Sequence, residues 1–208
     1  VKVILFDLDG TLINSTEAIL EGFKVTFEKY NKPYPGDENV KKLIGLPLEI
    51  MFFKLGIDEN VDEYVNTYKM HYRKISTKKT KLLPFTKEAL NKAKEFARLG
   101  IVTTKTAKYS KELLDYFNLT KFFEVLIGRE DVINPKPHPE PIFKAIHFMK
   151  ANKENTFMVG DTCLDVLSAK EAGIKAVGVK WEYEENLKNC AEIIEENVLE
   201  AVEFIEKF

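Results

Sequence analysis

An α/β fold, built on a doubly wound and mostly parallel sheet with a small helical insertion after the first strand, is what this 208-residue sequence predicts. Three observations carry it. Short apolar runs recur at Val3–Phe6, Ile101–Val102, 123–127, 156–160 and 175–179. Each is too short for a helix and apolar at consecutive positions, as in strands buried on both faces. From Leu83 onward these runs alternate with amphipathic stretches of helical period, the pattern of strand–helix–strand crossovers. Between Phe6 and Ile101, by contrast, no buried strand recurs and helical spacing dominates.

The elements follow in order. Val3-Ile4-Leu5-Phe6 is the first strand, and the chain begins directly in it. From Ser15, the spacing of Ile19, Phe23, Phe27 and Tyr30 gives one apolar helical face, with Ser15 or Thr16 as cap, until Pro33-Tyr34-Pro35-Gly36 breaks it. Further helices are expected at 38–44, 48–54 and 59–79, the last with Val61, Val65, Tyr68 and Tyr72 on one face. That is too much helix for a single crossover, so residues 15–82 read as an inserted helical unit, and 1–14 with 83–208 as the α/β core. The core then runs helix 86–98, strand 100–104, helix 109–117, strand 123–127, helix 139–150, strand 156–160, helix 162–172 and strand 175–179. A weaker strand at 192–195 and a helix from about 197 close it. This alternation is that of a Rossmann-like core, whose ligand sites lie at the carboxyl ends of the strands.

Four runs of chemically capable residues fall at those ends. Asp7-Leu8-Asp9-Gly10-Thr11 follows the first strand. Side chains two apart in extended backbone share a side, which sets Asp7 and Asp9 toward one pocket. Gly10 lets backbone N–H groups approach an anion closely, and Thr11 is placed to bond the strand end or the second carboxylate. Taken alone, an Asp-Gly pair is also ordinary turn chemistry. Thr103-Thr104 closes the second apolar run, with Lys105 following in the loop; Thr103 alone reads equally as a strand former. Lys136 sits in Pro135-Lys136-Pro137-His138-Pro139-Glu140-Pro141, whose fixed φ angles offer a stiff support for an ammonium group or a rigid surface connector. Gly160-Asp161-Thr162-Cys163-Leu164-Asp165 opens a helix that Gly173 stops. Asp161 and Asp165 lie four apart on one helical face, and N-capping competes as the account of Asp161. With Asp7 and Asp9 they make a hard, oxygen-only donor set, which selects Mg²⁺ over Zn²⁺.

Composition bounds the partners. Thirty-one Lys and Arg against 33 Asp and Glu leave a net charge of −2, which speaks for no nucleic acid and no membrane surface. No apolar run approaches the ~20 residues of a membrane span and no signal segment precedes the first strand, so the cytoplasm is the expected compartment. Cys163 and Cys190 have no metal or redox spacing and read as reduced thiols. Arg73, Lys74, Lys78, Lys79 and Lys81 read as a solvated face, and the three histidines show no ligand pattern.

The succession Asp-x-Asp-Gly-Thr, strand-end Thr103, Lys136-Pro137-His138-Pro139-Glu140-Pro141, and Gly160-Asp161-Thr162-x-x-Asp165 resembles the haloacid dehalogenase-like superfamily of phosphatases, from Val3 to about Trp181. It is most similar to the branch that contains phosphoglycolate phosphatase, the pyrophosphatase PpaX and β-phosphoglucomutase. The resemblance implies that Asp7 is the nucleophile, forming an aspartyl phosphate, and that Asp9 is the acid–base group. It implies that Thr103 hydrogen-bonds the phosphoryl oxygens, that Lys136 neutralises charge on the nucleophile and the transferring group, and that Mg²⁺ binds to Asp7, the main-chain carbonyl of Asp9, Asp161 and, through water, Asp165, which otherwise orients Lys136. Backbone N–H groups of Leu8, Asp9 and Thr104, with Gly10 and Thr11, would cradle the phosphate. The insertion corresponds to the family's small helical cap, and Gly45-Leu46-Pro47 to its specificity loop, though it also reads as a plain helix connector. Thr104 stands where the branch often has Asn, and Glu182 where it often has Gly. The implied activity is hydrolysis of a small phosphorylated metabolite, with 2-phosphoglycolate leading, by a monomer or homodimer. Pyrophosphatase and mutase chemistry share every core residue. A phosphate-binding module without catalysis is the alternative from another class, and a dehalogenase is disfavoured because halide displacement needs no Asp9.

Overall fold

The computed structural model describes residues 1–182 and 187–208. In chain order its elements are β1 (Lys2–Phe6), β2 (Ile13–Asn14), α1 (Thr16–Lys29), α2 (Asp37–Lys41), α3 (Leu48–Lys54), α4 (Val61–Lys79), β3 (Lys81–Leu82), α5 (Thr86–Phe96), β4 (Ala97–Val102), α6 (Ala107–Tyr116), β5 (Phe123–Ile127), α7 (Glu140–Met149), β6 (Thr156–Gly160), α8 (Cys163–Ala172), β7 (Lys175–Val179), β8 (Ile194–Glu195) and α9 (Val198–Lys207). The buried runs of the sequence form one sheet in the order β5-β4-β1-β6-β7-β8, with every neighbouring pair parallel. Ile4, Leu5 and Phe6 are fully buried because β1 lies at the centre, covered on both faces. One apolar layer joins Phe6 and Ile4 to Ala89 and Leu90 of α5, Leu113 of α6 and Val202 of α9. The other joins Val3 and Leu5 to Ile142 and Met149 of α7 and Ala169 of α8.

From β1 the chain winds outward through β4 to β5, then crosses back over β1 to β6 and winds the other way. Such a reversal opens a crevice at the carboxyl ends of the two strands that flank it. Here these are β1 and β6.

Helices α1 to α4 pack around a separate apolar cluster rich in aromatic rings, including Phe23, Phe27, Phe52, Tyr64 and Tyr68. Phe23 and Phe52 meet at 4.6 Å between centroids, and Tyr68 and Tyr72 stack at 5.5 Å. The chain leaves for these helices and returns from them through the antiparallel pair β2 and β3, which sets Ile13 against Leu82 and Asn14 against Lys81. Leu12 reinforces the junction, its carbonyl accepting from the Leu83 N–H at 3.0 Å and the Thr86 hydroxyl at 2.8 Å.

Two features differ from the sequence reading. The second core strand begins at Ala97, directly after α5, rather than at Gly100. Arg98 hid it: a charge at the start of a strand reads as the end of a helix. Here that side chain forks onto Glu124 of β5, with Nε at 3.1 and 3.0 Å from the two carboxylate oxygens, and donates to the Met149 carbonyl at 2.8 Å. The cysteines, expected as separate reduced thiols, are joined as a disulfide with Cα atoms 5.8 Å apart. Cys163 opens α8 just beyond β6, and the chain passing on from β7 sets Cys190 beside it. Twenty-seven positions separate the pair in sequence, and only the crossover makes them neighbours, which spacing does not report. Among the described residues no helix is long and apolar enough to cross a membrane.

Candidate active site

Asp7 follows the last residue of β1, and its N–H donates to the Val159 carbonyl of β6 at 2.9 Å, so its carboxylate rises from the seam between the two strands. Lys136 reaches this seam from the proline-rich segment after β5. Its ammonium lies 2.9 Å from Asp7 Oδ1, 2.5 Å from Asp165 Oδ1 and 3.0 Å from the Val102 carbonyl at the end of β4. Three acceptors use all three of its N–H groups. The side chain is 2 % exposed, so the stiff support does not carry a solvated charge.

The run after β6 divides its acidic residues between two tasks. Thr162, rather than Asp161, precedes the first turn of α8. Asp165 receives the Thr162 N–H at 3.1 Å and the Thr162 hydroxyl at 2.7 Å on the oxygen that Lys136 does not touch. Asp161 is left facing the seam, with the Thr11 hydroxyl donating to its Oδ1 at 3.0 Å. Gly10 makes this approach possible: its φ is +80°, and a Cβ there would fall 2.2 Å from Asp161 Oδ2.

Carboxylate oxygens of Asp7, Asp161 and Asp165 all lie within 4.8 Å of one another. Burial, outweighing the Lys136 ammonium and helped by the neighbouring Asp165 and Asp9 charges, pushes Asp7 up to about 7. Burial, with the charges of Asp7 and Asp165, raises Asp161 well above the usual carboxylate range. For Lys136 burial opposes the charge, but Asp165 and Asp7 prevail and its pKa is raised.

Asp9 stands apart from this cluster. Its Oδ2 is 3.1 Å from the Lys105 ammonium, and its Oδ1 accepts the Ser15 hydroxyl. Lys105 also lies 4.6 Å from the centroid of the Tyr72 ring, and its main-chain N–H donates to the Thr103 hydroxyl at 3.1 Å. Burial works against the Lys105 charge, yet Asp9 and Tyr72 raise its pKa above the ordinary lysine value. Above these groups a small cavity, with about 60 Å³ of open volume, separates the sheet edge from the helical segment. Asp9, Gly45, Tyr68, Tyr72, Thr104 and Lys105 line it.

The arrangement can hold a divalent cation. Were Asp7, Asp9, Asp161 and Asp165 all ionised, they would exceed the two ammonium groups, Lys105 and Lys136, by two negative charges, which is why Asp7 and Asp161 hold their protons to higher pH. Every donor is a hard oxygen, which suits Mg²⁺ and not a thiolate- or imidazole-seeking metal.

All four runs of the sequence therefore meet along one edge. Thr103 is buried at the end of β4, Leu8 packs inward while its carbonyl turns the loop by accepting from Thr11, Leu12 and Ile13, and Gly45 faces the cavity from the helical segment. Thr104 differs from the expected cradle role in one respect: its hydroxyl donates to the Gly45 carbonyl at 2.6 Å and so links the sheet unit to the helical segment. Sequence reasoning missed Ser15, which it took as a helix cap, as well as Tyr72 and Lys105. The signal for Lys105 was present, since it directly follows two strand-end threonines; no local pattern marks Tyr72 as more than a core ring.

The carboxyl edge of a parallel sheet thus gathers buried carboxylates around a fully bonded lysine, beneath a helical segment. The chain belongs to the haloacid dehalogenase-like hydrolases: residues 4–179 match that family. It is similar to pyrophosphatase PpaX of Halalkalibacterium halodurans, 39% identical over 182 residues that cover 87% of this chain and 84% of that one. It is also similar to phosphoglycolate phosphatase of Aquifex aeolicus, 35% identical over 185 residues covering 88% and 86%. Among solved structures, a haloacid dehalogenase-like hydrolase from Streptococcus pneumoniae superposes with a TM-score of 0.87 at 27% identity, over 98% of each chain.

Proposed function

We propose that this enzyme is a Mg²⁺-dependent phosphatase that moves the phosphoryl group of a small metabolite first to Asp7 and then to water, with 2-phosphoglycolate the leading substrate. The observation that carries the reading is the Asp7 carboxylate at 2.9 Å from the buried Lys136 ammonium, with Asp161 alongside. Asp7 attacks phosphorus through the oxygen that Lys136 leaves free, and the bond to the leaving oxygen breaks as Asp9, which enters the step as the neutral acid, delivers its proton to that oxygen and becomes the carboxylate. Asp9 then takes a proton from the water that cleaves the aspartyl phosphate, releasing inorganic phosphate and restoring Asp7. The Thr103 hydroxyl donates to a phosphoryl oxygen, a preorganised contribution of roughly 3 kcal/mol for one well-placed donor, and the Lys136 ammonium, its N–H groups engaged by protein acceptors, neutralises charge on the nucleophile and the transferring group. Asp165 orients Lys136. Mg²⁺, held by Asp7, Asp161 and the main-chain carbonyl of Asp9, would supply charge neutralisation to the phosphoryl group. Backbone N–H groups of Leu8, Asp9 and Thr104, with Gly10 and Thr11, complete the phosphate cradle.

The helical unit 15–82 serves as a cap over the core of 1–14 and 83–208, excluding water and reading the substrate through the Gly45 loop. Similarity to proteins named PpaX supports pyrophosphate as the second substrate reading. We assign a cytoplasmic monomer or homodimer on the class of substrate; the Cys163–Cys190 bond is the feature that a reducing cytoplasm would oppose. Phosphate release from 2-phosphoglycolate, pyrophosphate, sugar phosphates and nucleotides, with and without Mg²⁺, is the test. Asp7→Asn should abolish turnover with the fold intact; near-normal Mg²⁺-dependent release by that variant would end the reading.

A further inference from the structure

We propose that Lys105 and Tyr72 form a subsite for a second anionic group on the leaving side of the substrate, a carboxylate or a phosphate, and that this subsite selects phosphoesters and anhydrides whose leaving group is itself charged. The inference rests on the phosphatase reading above, which puts Asp9 at the leaving oxygen. Lys105, 3.1 Å from Asp9, is then on the leaving side, just as Lys136 is on the transferring side. The two lysines differ in what they have left to give. Lys136 spends its three N–H groups on Asp7, Asp165 and the Val102 carbonyl. Lys105 gives one N–H to Asp9 and rests a face on the Tyr72 ring, and it lines the cavity. An ammonium with donors to spare at the wall of a partly enclosed cavity binds anions more strongly than one in open water, because the surroundings screen it less.

Tyr72 supplies the independent observation. Its side chain is 1% exposed, and its hydroxyl, beside Lys105 and Ser15, completes no hydrogen bond of acceptable geometry. Buried hydroxyls are nearly always bonded, and one that lacks a partner at a cavity wall marks a place where a ligand provides it. An anion seated against Lys105 would accept from this hydroxyl as well. The remaining space agrees in size: about 60 Å³ holds roughly four water-sized groups, room for a carboxylate or a phosphate. Of the two other cations that line the cavity, Arg129 is engaged by Glu49 at 2.6 Å, and Lys69 of α4 adds a second positive charge to the wall.

The test compares kcat/KM for three substrates with Mg²⁺: 2-phosphoglycolate, pyrophosphate, and 2-hydroxyethyl phosphate, which has nearly the size of the first but a neutral leaving group. The native enzyme should favour at least one of the charged pair over 2-hydroxyethyl phosphate by a hundredfold or more, and which one it favours identifies carboxylate or phosphate as the source of the anion. Tyr72→Phe, which keeps the ring, should cut that preference about tenfold through KM. Lys105→Gln should all but erase it, and Lys105→Arg should restore part. If both variants slow the three substrates by the same factor, Lys105 only neutralises Asp9 and the subsite is refuted. If the native enzyme cleaves all three with similar kcat/KM, the subsite falls while the phosphatase reading stands. If it releases phosphate from none of them nor from any other phosphoester with Mg²⁺, the phosphatase reading itself has failed.

Discussion

Replacing Lys136 with Met removes a cation from the most enclosed part of the molecule while keeping the length of the side chain. The ammonium holds Asp7 at 2.9 Å and Asp165 at 2.5 Å, and all three side chains are nearly inaccessible to water. Removing one partner of a buried ion pair leaves an uncompensated charge and costs about 3–5 kcal/mol. Asp165 keeps its two bonds from Thr162, whereas Asp7 loses its cation, so most of the cost falls on Asp7. Asp7 already stands at about 7 with the lysine in place, and without it the pKa moves further up. A carboxyl raised in the folded state binds a proton that the unfolded chain has released. Each such proton lowers stability by about 1.4 kcal/mol per pH unit as pH rises through the interval between the two pKa values. The loss caused by Lys136→Met should therefore be smaller at pH 5, where Asp7 is protonated either way, and larger by about 1.4 kcal/mol at pH 8, one unit above the value Asp7 has with the lysine present. Lys136 itself stays charged throughout, since its pKa lies above the ordinary 10.5. Denaturant titration of the metal-free protein and the variant at both pH values measures this. For a chain of this size that increment corresponds to a thermal midpoint lower by a further 3–6 °C, roughly, at pH 8 than at pH 5. A loss under about 1 kcal/mol at pH 8, or one that is equal at the two pH values, would refute the reasoning, because neither is compatible with a buried carboxylate deprived of its cation.

Three further outcomes are expected. Mg²⁺ must find Asp7 and Asp161 ionised, and both are raised in its absence, Asp7 to about 7; apparent affinity should weaken steadily from pH 8 to pH 5.5, with proton release on binding, and calorimetry in two buffers that finds neither would count against the site. Closing a loop of 27 residues, the Cys163–Cys190 bond should contribute about 3.5 kcal/mol; Cys163→Ser or a strong reductant should lower the thermal midpoint, and an unchanged midpoint with free thiol present would show the bond to be idle. Thr104→Val deletes the 2.6 Å bond to the Gly45 carbonyl, worth about 1 kcal/mol, or roughly a fivefold shift toward an open helical segment; KM should rise and amide exchange at residues 44–48 quicken, and identical exchange would exclude a closing role.

The strand ends were legible because two independent patterns coincide there. Buried runs locate the strands, and a parallel sheet places its ligands at their carboxyl ends, so Asp7, Asp9, Thr103, Lys136 and Asp161 fall together without any knowledge of distance. The alternate prolines around Lys136 announce a stiff segment, but alone they read as a surface connector with a solvated charge; only the company of the other three runs drew Lys136 to the site. What could not be read was contact between units. Ser15 looks like a helix cap and Tyr72 like one more ring of an aromatic core, because periodicity reports which face of a helix is buried and not what it is buried against. The same holds for Glu49 and Arg129, joined at 2.6 Å across the cavity rim, and for Cys163 and Cys190. Arg98 shows the converse, a charge that obscured three residues of strand because its partner, Glu124, belongs to a neighbour the local sequence does not reveal.

The strength of closure follows from the same contacts. Among the described residues, besides Ser15 on Asp9 and Tyr72 against Lys105 at the site itself, three polar links join the helical segment to the sheet unit: Gly45 to Thr104 at 2.6 Å, Glu49 to Arg129 at 2.6 Å and Arg73 to Glu112 at 3.5 Å. Both ion pairs are substantially exposed, with side chains between 30 and 57 % accessible, so each is worth no more than about 1 kcal/mol, and the Thr104 bond adds about as much. The chain connections lie elsewhere, at the paired β2 and β3, where Leu12 ties down the return strand through its carbonyl. Under the proposed reading this is a hinge fixed by backbone bonds and a latch made of a few weak ones. A latch near 3 kcal/mol keeps the pocket shut most of the time yet opens often enough to admit substrate and release phosphate. A bound anion touching both Lys105 of the core and Tyr72 of α4 would add to that latch, so the substrate that fits best would also be the one that closes the site most firmly.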